Sequence, residues 1–251
     1  MSDCVSQQPV YRNEWKYYIS LWEGELLKKR LLPFMEVDDH ALNGRYTIRS
    51  LYFDDYWNSA YEEKIMGVGD RQKWRIRIYN FRDLGMKMER KKKNGSYIHK
   101  DSAPLTREEY NRILAGDYGF LLHSPYALCQ EFYYECVVKL QRPKVIVDYE
   151  RTPLIRREGD VRITFDQDVR GGAFDYNIFD PQLPVMGILE PNQMVLEVKF
   201  TEMIPAVIKE LLPLSGQQFS AISKYTLCYE KVFYRTDMLA GISKSNRRTR
   251  R

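Results

Sequence analysis

In the segment RQKWRIRIYN, residues 71–80, Lys73, Arg75 and Arg77 alternate with Trp74, Ile76 and Ile78. This is the pattern of a half-buried strand with one cationic face. Five further segments carry charged or polar residues at alternate positions: Glu14 and Lys16, Glu89 and Lys91, Tyr149 and Arg151, Arg162 with Asp166, and Glu197 and Lys199. Arginines and lysines aimed at one space would grip a polyanion. A phosphate chain enters a confined site only where fixed cations replace its lost hydration. Phosphoryl transfer then needs positioning and charge neutralisation more than covalent help. If the acceptor is the terminal oxygen of another phosphate chain, it is already anionic and needs no general base, whereas water would benefit from one. A lining rich in Arg and Lys, poor in His and sparing in carboxylates therefore suits phosphate-to-phosphate transfer better than hydrolysis.

The elements that must position these residues are short strands alternating with a few helices. YRNEWKYYI (11–19) reads as a strand, and Ser20 with Glu23 forms a capping box opening a helix through about Leu32. RYTIRSLYFDD (45–55) reads as a strand, and YWNSAYEEKI (56–65) as a short helix closed by Gly67. The 71–80 strand and MKMERKKK (86–93) are joined by NFRDLG, a hairpin connection. Thr106 with Glu109 starts another helix, ended by Gly116. FYYECVVKL, PKVIVDYERTPL, DVRITFDQDV and MVLEVKF read as four more strands, and IPAVIKELLP and FSAISKYTLCYEKVFY as helical. The apolar faces opposite the charges leave two architectures open. Either the charges face solvent, or the sheet closes into a barrel with a polar lumen and helices over its apolar outside.

With 251 residues, 44% of them hydrophobic, the chain can bury a sizeable core as one domain. The net charge is +5, and SKSNRRTRR from Ser243 carries five cations, so the body before it sums to zero. A binder of nucleic acid would be basic over its folded part, so any cationic site here is local and concave. Residues 1–10 read as an N-terminal extension, 11–242 as the domain and 243–251 as a basic disordered tail. Cys4, Cys129, Cys136 and Cys228 form no CxxC pair, and His40, His99 and His123 are scattered, which argues against zinc and for thiols in a reducing cytoplasm. No apolar run approaches the roughly 20 residues that span a bilayer, and MSDCVSQQPV lacks a basic-then-apolar signal. The expectation is a cytoplasmic chain without a transmembrane segment, its basic end able to rest on an anionic membrane or a membrane partner. Neither a P-loop nor a kinase-type glycine loop is present.

In this order, NEWKYY, SLYFDD, RIRIY, ERK, VDYERTP, VRITFD, LEVKF and FSAISKY resemble the VTC domain. This is the polyphosphate polymerase domain of the vacuolar transporter chaperone family, within the triphosphate tunnel metalloenzymes of the CYTH-like superfamily. The resemblance runs from about Tyr11 to Tyr234. It implies an α+β fold: a closed antiparallel barrel of about eight strands forming a polar tunnel, with flanking helices. Carried over position by position, Lys16, Arg75, Arg77, Lys91, Arg151, Arg162, Lys199 and Lys224 would line the phosphate path, with Lys16, Arg75, Arg77 and Lys224 nearest the chemistry. Tyr149 would donate a hydrogen bond to phosphate. Glu197 would hold Mn2+ or Mg2+, and Glu14 and Glu89 resemble the tunnel carboxylates that serve the metal or orient lysines. Asp166 and Asp168 read either as a further carboxylate pair or as a strand end. Where the superfamily's first strand carries ExExK, this chain has Arg12-x-Glu14-x-Lys16, which fits the polymerase branch. The implied activity is transfer of the γ-phosphate of ATP to inorganic polyphosphate. A tunnel hydrolase of inorganic triphosphate or nucleotide, and a polyphosphate-binding module without turnover, are the alternatives.

Overall fold

The alternation at 73–77 forms a strand, and its apolar side decides how the sheet is covered. The computed structural model describes residues 13–95, 97–201, 203–212 and 221–234. The expected extension, 1–10, the expected tail, 243–251, and Arg12 of the departing motif lie outside these residues. The described residues build one antiparallel sheet. Its strands are β1 (Asn13–Ser20), β2 (Glu36–Val37), β3 (Tyr46–Asp54), β4 (Asp70–Tyr79), β5 (Arg82–Asn94), β6 (Tyr97–Pro104), β7 (Arg142–Arg156), β8 (Val161–Gly172), β9 (Met186–Gly187) and β10 (Gln193–Phe200). The main path runs β1-β10-β8-β7-β3-β4-β5-β6, with β2 beside β7 and β9 beside β8.

A closed barrel was the expectation, and the backbone ladder does not close: among the described residues β1 and β6 are its two ends. The sheet nevertheless curls on itself. Lys91 of β5 and Glu14 of β1, six strand spacings apart in the ladder, meet at 3.0 Å, where a flat sheet would hold them roughly 29 Å apart.

The faces divide as a polar interior requires. On the convex side, Tyr17, Ile19, Ile163, Phe165, Leu196 and Val198 form a core under α1 (Leu21–Leu31) and α5 (Ala206–Leu211). A second convex core joins Trp74, Ile76, Ile78, Met86 and Met88 to α3 (Arg107–Leu114) and α4 (Ala127–Val138). Burying each such side chain contributes about 1.5–3 kcal/mol, which is what makes the helices cling to this side. The charged alternate positions are thereby turned to the concave side. There a third cluster packs Ile48, Tyr52, Val145, Val147 and Tyr149 against Tyr225, Cys228, Tyr229 and Val232 of a helix over residues 224–234, here α6. Gly171 allows this approach, because a Cβ there would lie 3.0 Å from the Cβ of Cys228. No helix among the described residues is long and apolar enough to cross a membrane.

Both expected capping boxes form, Ser20 with Glu23 at α1 and Thr106 with Glu109 at α3. The short α2 spans Ser59–Ile65, with Gly67 just beyond it at φ 73°. Two local expectations are corrected. FYYECVVKL is the latter part of α4, not a strand, and its buried residues Leu128, Cys129, Phe132 and Cys136 follow a helical spacing. The six-residue hairpin connection shrinks to Asn80 and Phe81, both at positive φ, and β5 already begins at Arg82. The strained Phe81 lays its ring on the Arg49 guanidinium, 4.4 Å from the centroid.

Candidate active site

Antiparallel register carries charge from strand to strand across the concave face. Glu14 of β1 is opposite Lys199 of β10, and Lys16 is opposite Glu197. Lys199 is in turn opposite Arg162 of β8, and Asp166 of β8 is opposite Arg151 of β7. On the other wing, Lys73 is paired with Lys91 and Arg75 with Glu89 across β4 and β5. Every one of these positions shares its strand's non-core parity, so the curl gathers them.

One centre is built on Glu14 and Glu197. The Glu197 carboxylate lies 3.0 Å from Lys199, 3.3 Å from Arg151 and 3.8 Å from Lys16. Glu14 lies 3.0 Å from Lys91, 3.3 Å from Lys16 and 3.6 Å from Lys199, so it shares Lys16 and Lys199 with Glu197. Burial alone would push the Glu197 carboxyl up, but Lys199, Lys16 and Arg151 hold it well below the usual carboxylate range. Burial likewise works against the Lys16 ammonium, and Glu197 and Glu14 outweigh it, so its pKa is raised.

A second centre is built on Asp166, which takes a two-pronged contact from Arg151 at 2.6 and 2.8 Å and another from Lys224 at 2.5 Å. Despite full burial, Arg151 and Lys224 depress the Asp166 pKa. Lys224, the first residue of α6, is thus drawn into the site instead of being solvated on its helix. The Tyr149 ring serves as a platform for two cations, with Lys224 at 4.8 Å and Arg151 at 5.3 Å from its centroid. Asp168 stays apart from Asp166: it sits at a bulge with φ 49° and contacts Arg170 at 3.5 Å.

A third centre surrounds Glu89, which lies 2.6 Å from Arg75, 2.6 Å from Lys100 and 3.7 Å from Arg77. Arg75 also donates to the Tyr52 hydroxyl at 2.7 Å, and Arg77 to Ser50 at 3.2 Å. Burial opposes ionisation of Glu89, but these three cations carry its pKa below the ordinary carboxylate range. Glu89 is therefore not gathered with Glu14 and Glu197. Arg162 holds the rim, bonded to Asp38 at 2.8 Å and to the Tyr46 hydroxyl at 3.1 Å.

Two residues outside the sequence-derived set join the site. Lys73, of the 71–80 segment, bonds Ser223 at 3.1 Å and lies 4.7 Å over the Tyr225 ring. Burial first, then the nearby Lys64, Arg71 and Lys91 charges, bring its ammonium down to about 7. Lys100 comes from β6, a strand the sequence reading passed over, and burial brings it down to about 8. Lys91 is also lowered to about 8, by burial and then by Lys16. Cations thus outnumber carboxylates, and a polyanion would relieve their crowding.

Among the described residues no group of three His, Cys, Asp or Glu side chains gathers as an all-protein metal cage. The neighbouring Glu14 and Glu197 carboxylates do fit a hard divalent cation of the Mg2+ or Mn2+ type, which takes one or two carboxylates and completes its shell with substrate oxygens and water. His99, beside Asp101, and His123 are exposed, and His40, also largely exposed, borders the rim through Asp38, the carboxylate that holds Arg162.

Solved structures similar to this chain are known, and one with a TM-score above 0.5 shares its fold. HpAC1 from Hippeastrum, described as having a dominant triphosphatase activity, is 14% identical, with 89% of this chain and 97% of that one covered at a TM-score of 0.52. The PH1819 protein of Pyrococcus horikoshii OT3 is 14% identical, with 88% and 99% covered at a TM-score of 0.46. A comparison with curated proteins gives no match. The family model of the VTC domain matches residues 11–233, so the curled sheet, its charged concave face and the ordered motifs together place this chain in the VTC-domain family.

Proposed function

We propose that the protein is a polyphosphate polymerase, transferring the γ-phosphate of ATP to the end of a growing polyphosphate chain on its concave face. The observation that carries this reading is the convergence of Lys16, Arg75, Arg77, Lys91, Arg151, Lys199 and Lys224, with no histidine among them, on one concave face. Arg75 and Arg77, aimed by Glu89, bind and orient phosphoryl oxygens. Lys16, Lys199 and Arg151 surround Glu197, and Lys224 extends the cationic path from α6. Positioning two anionic chains end to end against fixed cations lowers the barrier by charge neutralisation and alignment, and the acceptor oxygen has no proton to lose. Glu197 with Glu14 would hold Mn2+ or Mg2+, which supplies charge neutralisation at the bridging and non-bridging oxygens.

One observation favours a second reading. A Lys73 amine brought down to about 7 is partly neutral at physiological pH and able to accept a proton from water. That suits a triphosphatase of the kind described for HpAC1. Incubation of the purified protein with ATP and Mn2+, with products resolved on a gel that separates polyphosphate lengths, tests the proposal. A ladder of lengthening chains is the expected result. Orthophosphate alone would establish the hydrolase, and tight polyphosphate binding without turnover would establish a binding module.

A further inference from the structure

Thr164 lies on the concave face of β8 between Arg162 and Asp166, opposite Glu197 of β10 on one side and Pro153 of β7 on the other. It is 2% exposed, and its hydroxyl is a buried polar atom without a hydrogen-bond partner among the described residues. Every charged neighbour is engaged elsewhere: Asp166 by Arg151 and Lys224, Glu197 by Lys199 and Lys16, Arg162 by Asp38. Buried hydroxyls are paired in the great majority of cases, and valine would fill the same volume without an orphaned donor. The convex positions on either side, Ile163 and Phe165, are apolar core, so the strand places its one small hydroxyl where a phosphate chain would pass.

We infer that Thr164 is a substrate-binding residue whose hydroxyl donates a hydrogen bond to a phosphoryl oxygen of the phosphate chain held beside Glu197. The inference rests on the reading of this face as a phosphate site, but not on which acceptor the reaction uses. A neutral donor at this point has a use the surrounding cations lack. It fixes one oxygen in direction without adding charge beside Glu197, where another cation would compete with a divalent ion.

The test compares Thr164→Val and Thr164→Ser with wild type, using metal-free inorganic triphosphate in calorimetry and thermal unfolding of the unliganded proteins. Thr164→Val is expected to lose roughly tenfold or more in affinity, the size of one hydrogen bond to an ionised acceptor, with an unchanged or higher Tm because an unpaired polar atom has been removed. Thr164→Ser is expected to keep most of the affinity. Wild-type affinity in Thr164→Val overturns the inference, as does a loss of binding that only tracks a lowered Tm and is not rescued by serine. A wild-type protein that binds triphosphate but makes no polyphosphate overturns the polymerase reading alone, since the variants are still ranked by affinity. A wild-type protein that does not bind triphosphate overturns both.

Discussion

Arg151 and Asp166 face each other as register partners of β7 and β8 and close two hydrogen bonds of 2.6 and 2.8 Å, with no exposed surface left on the Asp166 side chain. The pair fixes the guanidinium plane before any ligand arrives. Asp166 would therefore act on the proposed substrate through Arg151 and Lys224.

Asp166→Asn keeps the shape and removes the charge that both cations need. Breaking a buried pair from one side costs about 3 kcal/mol, read from the denaturant midpoint. Turnover at saturating ATP is expected to fall at least tenfold, because Glu197, 3.3 Å away, is then the one carboxylate left against Arg151. An unchanged midpoint together with unchanged turnover would show that the pair positions nothing.

The lowered lysines give the protein a pH signature. Lys73, at about 7, and Lys91 and Lys100, at about 8, hold fewer protons when folded than they do unfolded near 10.4. Stability of the unliganded protein should therefore rise with pH from about 7 to about 8.5, above which the buried Cys129, Cys136 and Cys228 thiols, all pushed up by burial, oppose the lysines. Lys73 contributes most, since the Lys91 and Lys100 side chains are 39% and 48% exposed and water screens them. Glu89, Asp166 and Glu197, all depressed, contribute stability that is fully present above about pH 4 and is lost below it as they protonate. Thermal unfolding across pH checks both limbs; a flat alkaline limb would place these lysines in open solvent.

Binding a polyanion should push the same three lysines back up, so binding of long-chain polyphosphate, whose internal phosphates carry no proton to release, should take up protons at pH 8. Calorimetry in two buffers of different ionisation enthalpy measures the number directly. Proton release in place of uptake would contradict the crowded-cation picture of this face.

Arg75→Ala and Arg77→Ala each remove a phosphate-gripping group while leaving Glu89 bonded to Lys100 at 2.6 Å. Each variant is expected to fold and to lose roughly ten- to a hundredfold in inorganic triphosphate affinity, as for a charge-assisted contact in a poorly screened site. Calorimetry alongside Tm separates lost binding from lost fold.

Glu197→Gln separates metal from phosphate. At saturating ATP its turnover should fall by orders of magnitude, while metal-free triphosphate binding is kept or tightened because an anion has left the face. A lower Tm with turnover falling only in step, and an unchanged manganese requirement, would instead make Glu197 a purely structural partner of Lys199 and Lys16.

The strands that carry this site were legible because each puts charge on one face and core on the other, as Glu14 and Lys16 do around Trp15, or Glu197 and Lys199 around Val198. What failed was local context. In β6, YIHKDSAP shows no apolar alternation because the strand lies at the sheet's edge with both faces largely wet, and so Lys100 went unseen. FYYECVVKL has strand-like composition, and its helical period appears only when Leu128 and Cys129, outside that window, are counted. Ion-pair partners were illegible for a different reason: Lys91 and Glu14 are 77 residues apart, and only the curl of the sheet brings them together. Thr164 carried no signal at all, since a threonine inside a strand is an ordinary choice.

Among the described residues that curl is fastened, at β1 and β5, by an amine and a carboxylate, and not by a ladder of backbone bonds. A sealed ring must be threaded from an end, but a clasp can be loaded from the side. Under the proposed function an arriving phosphate chain would compete for Lys91, the cation of the clasp, and so would loosen Glu14 as it entered. Internal stretches of a long chain would then be as acceptable as its termini, and capture per molecule would grow with chain length even though each molecule has only two ends.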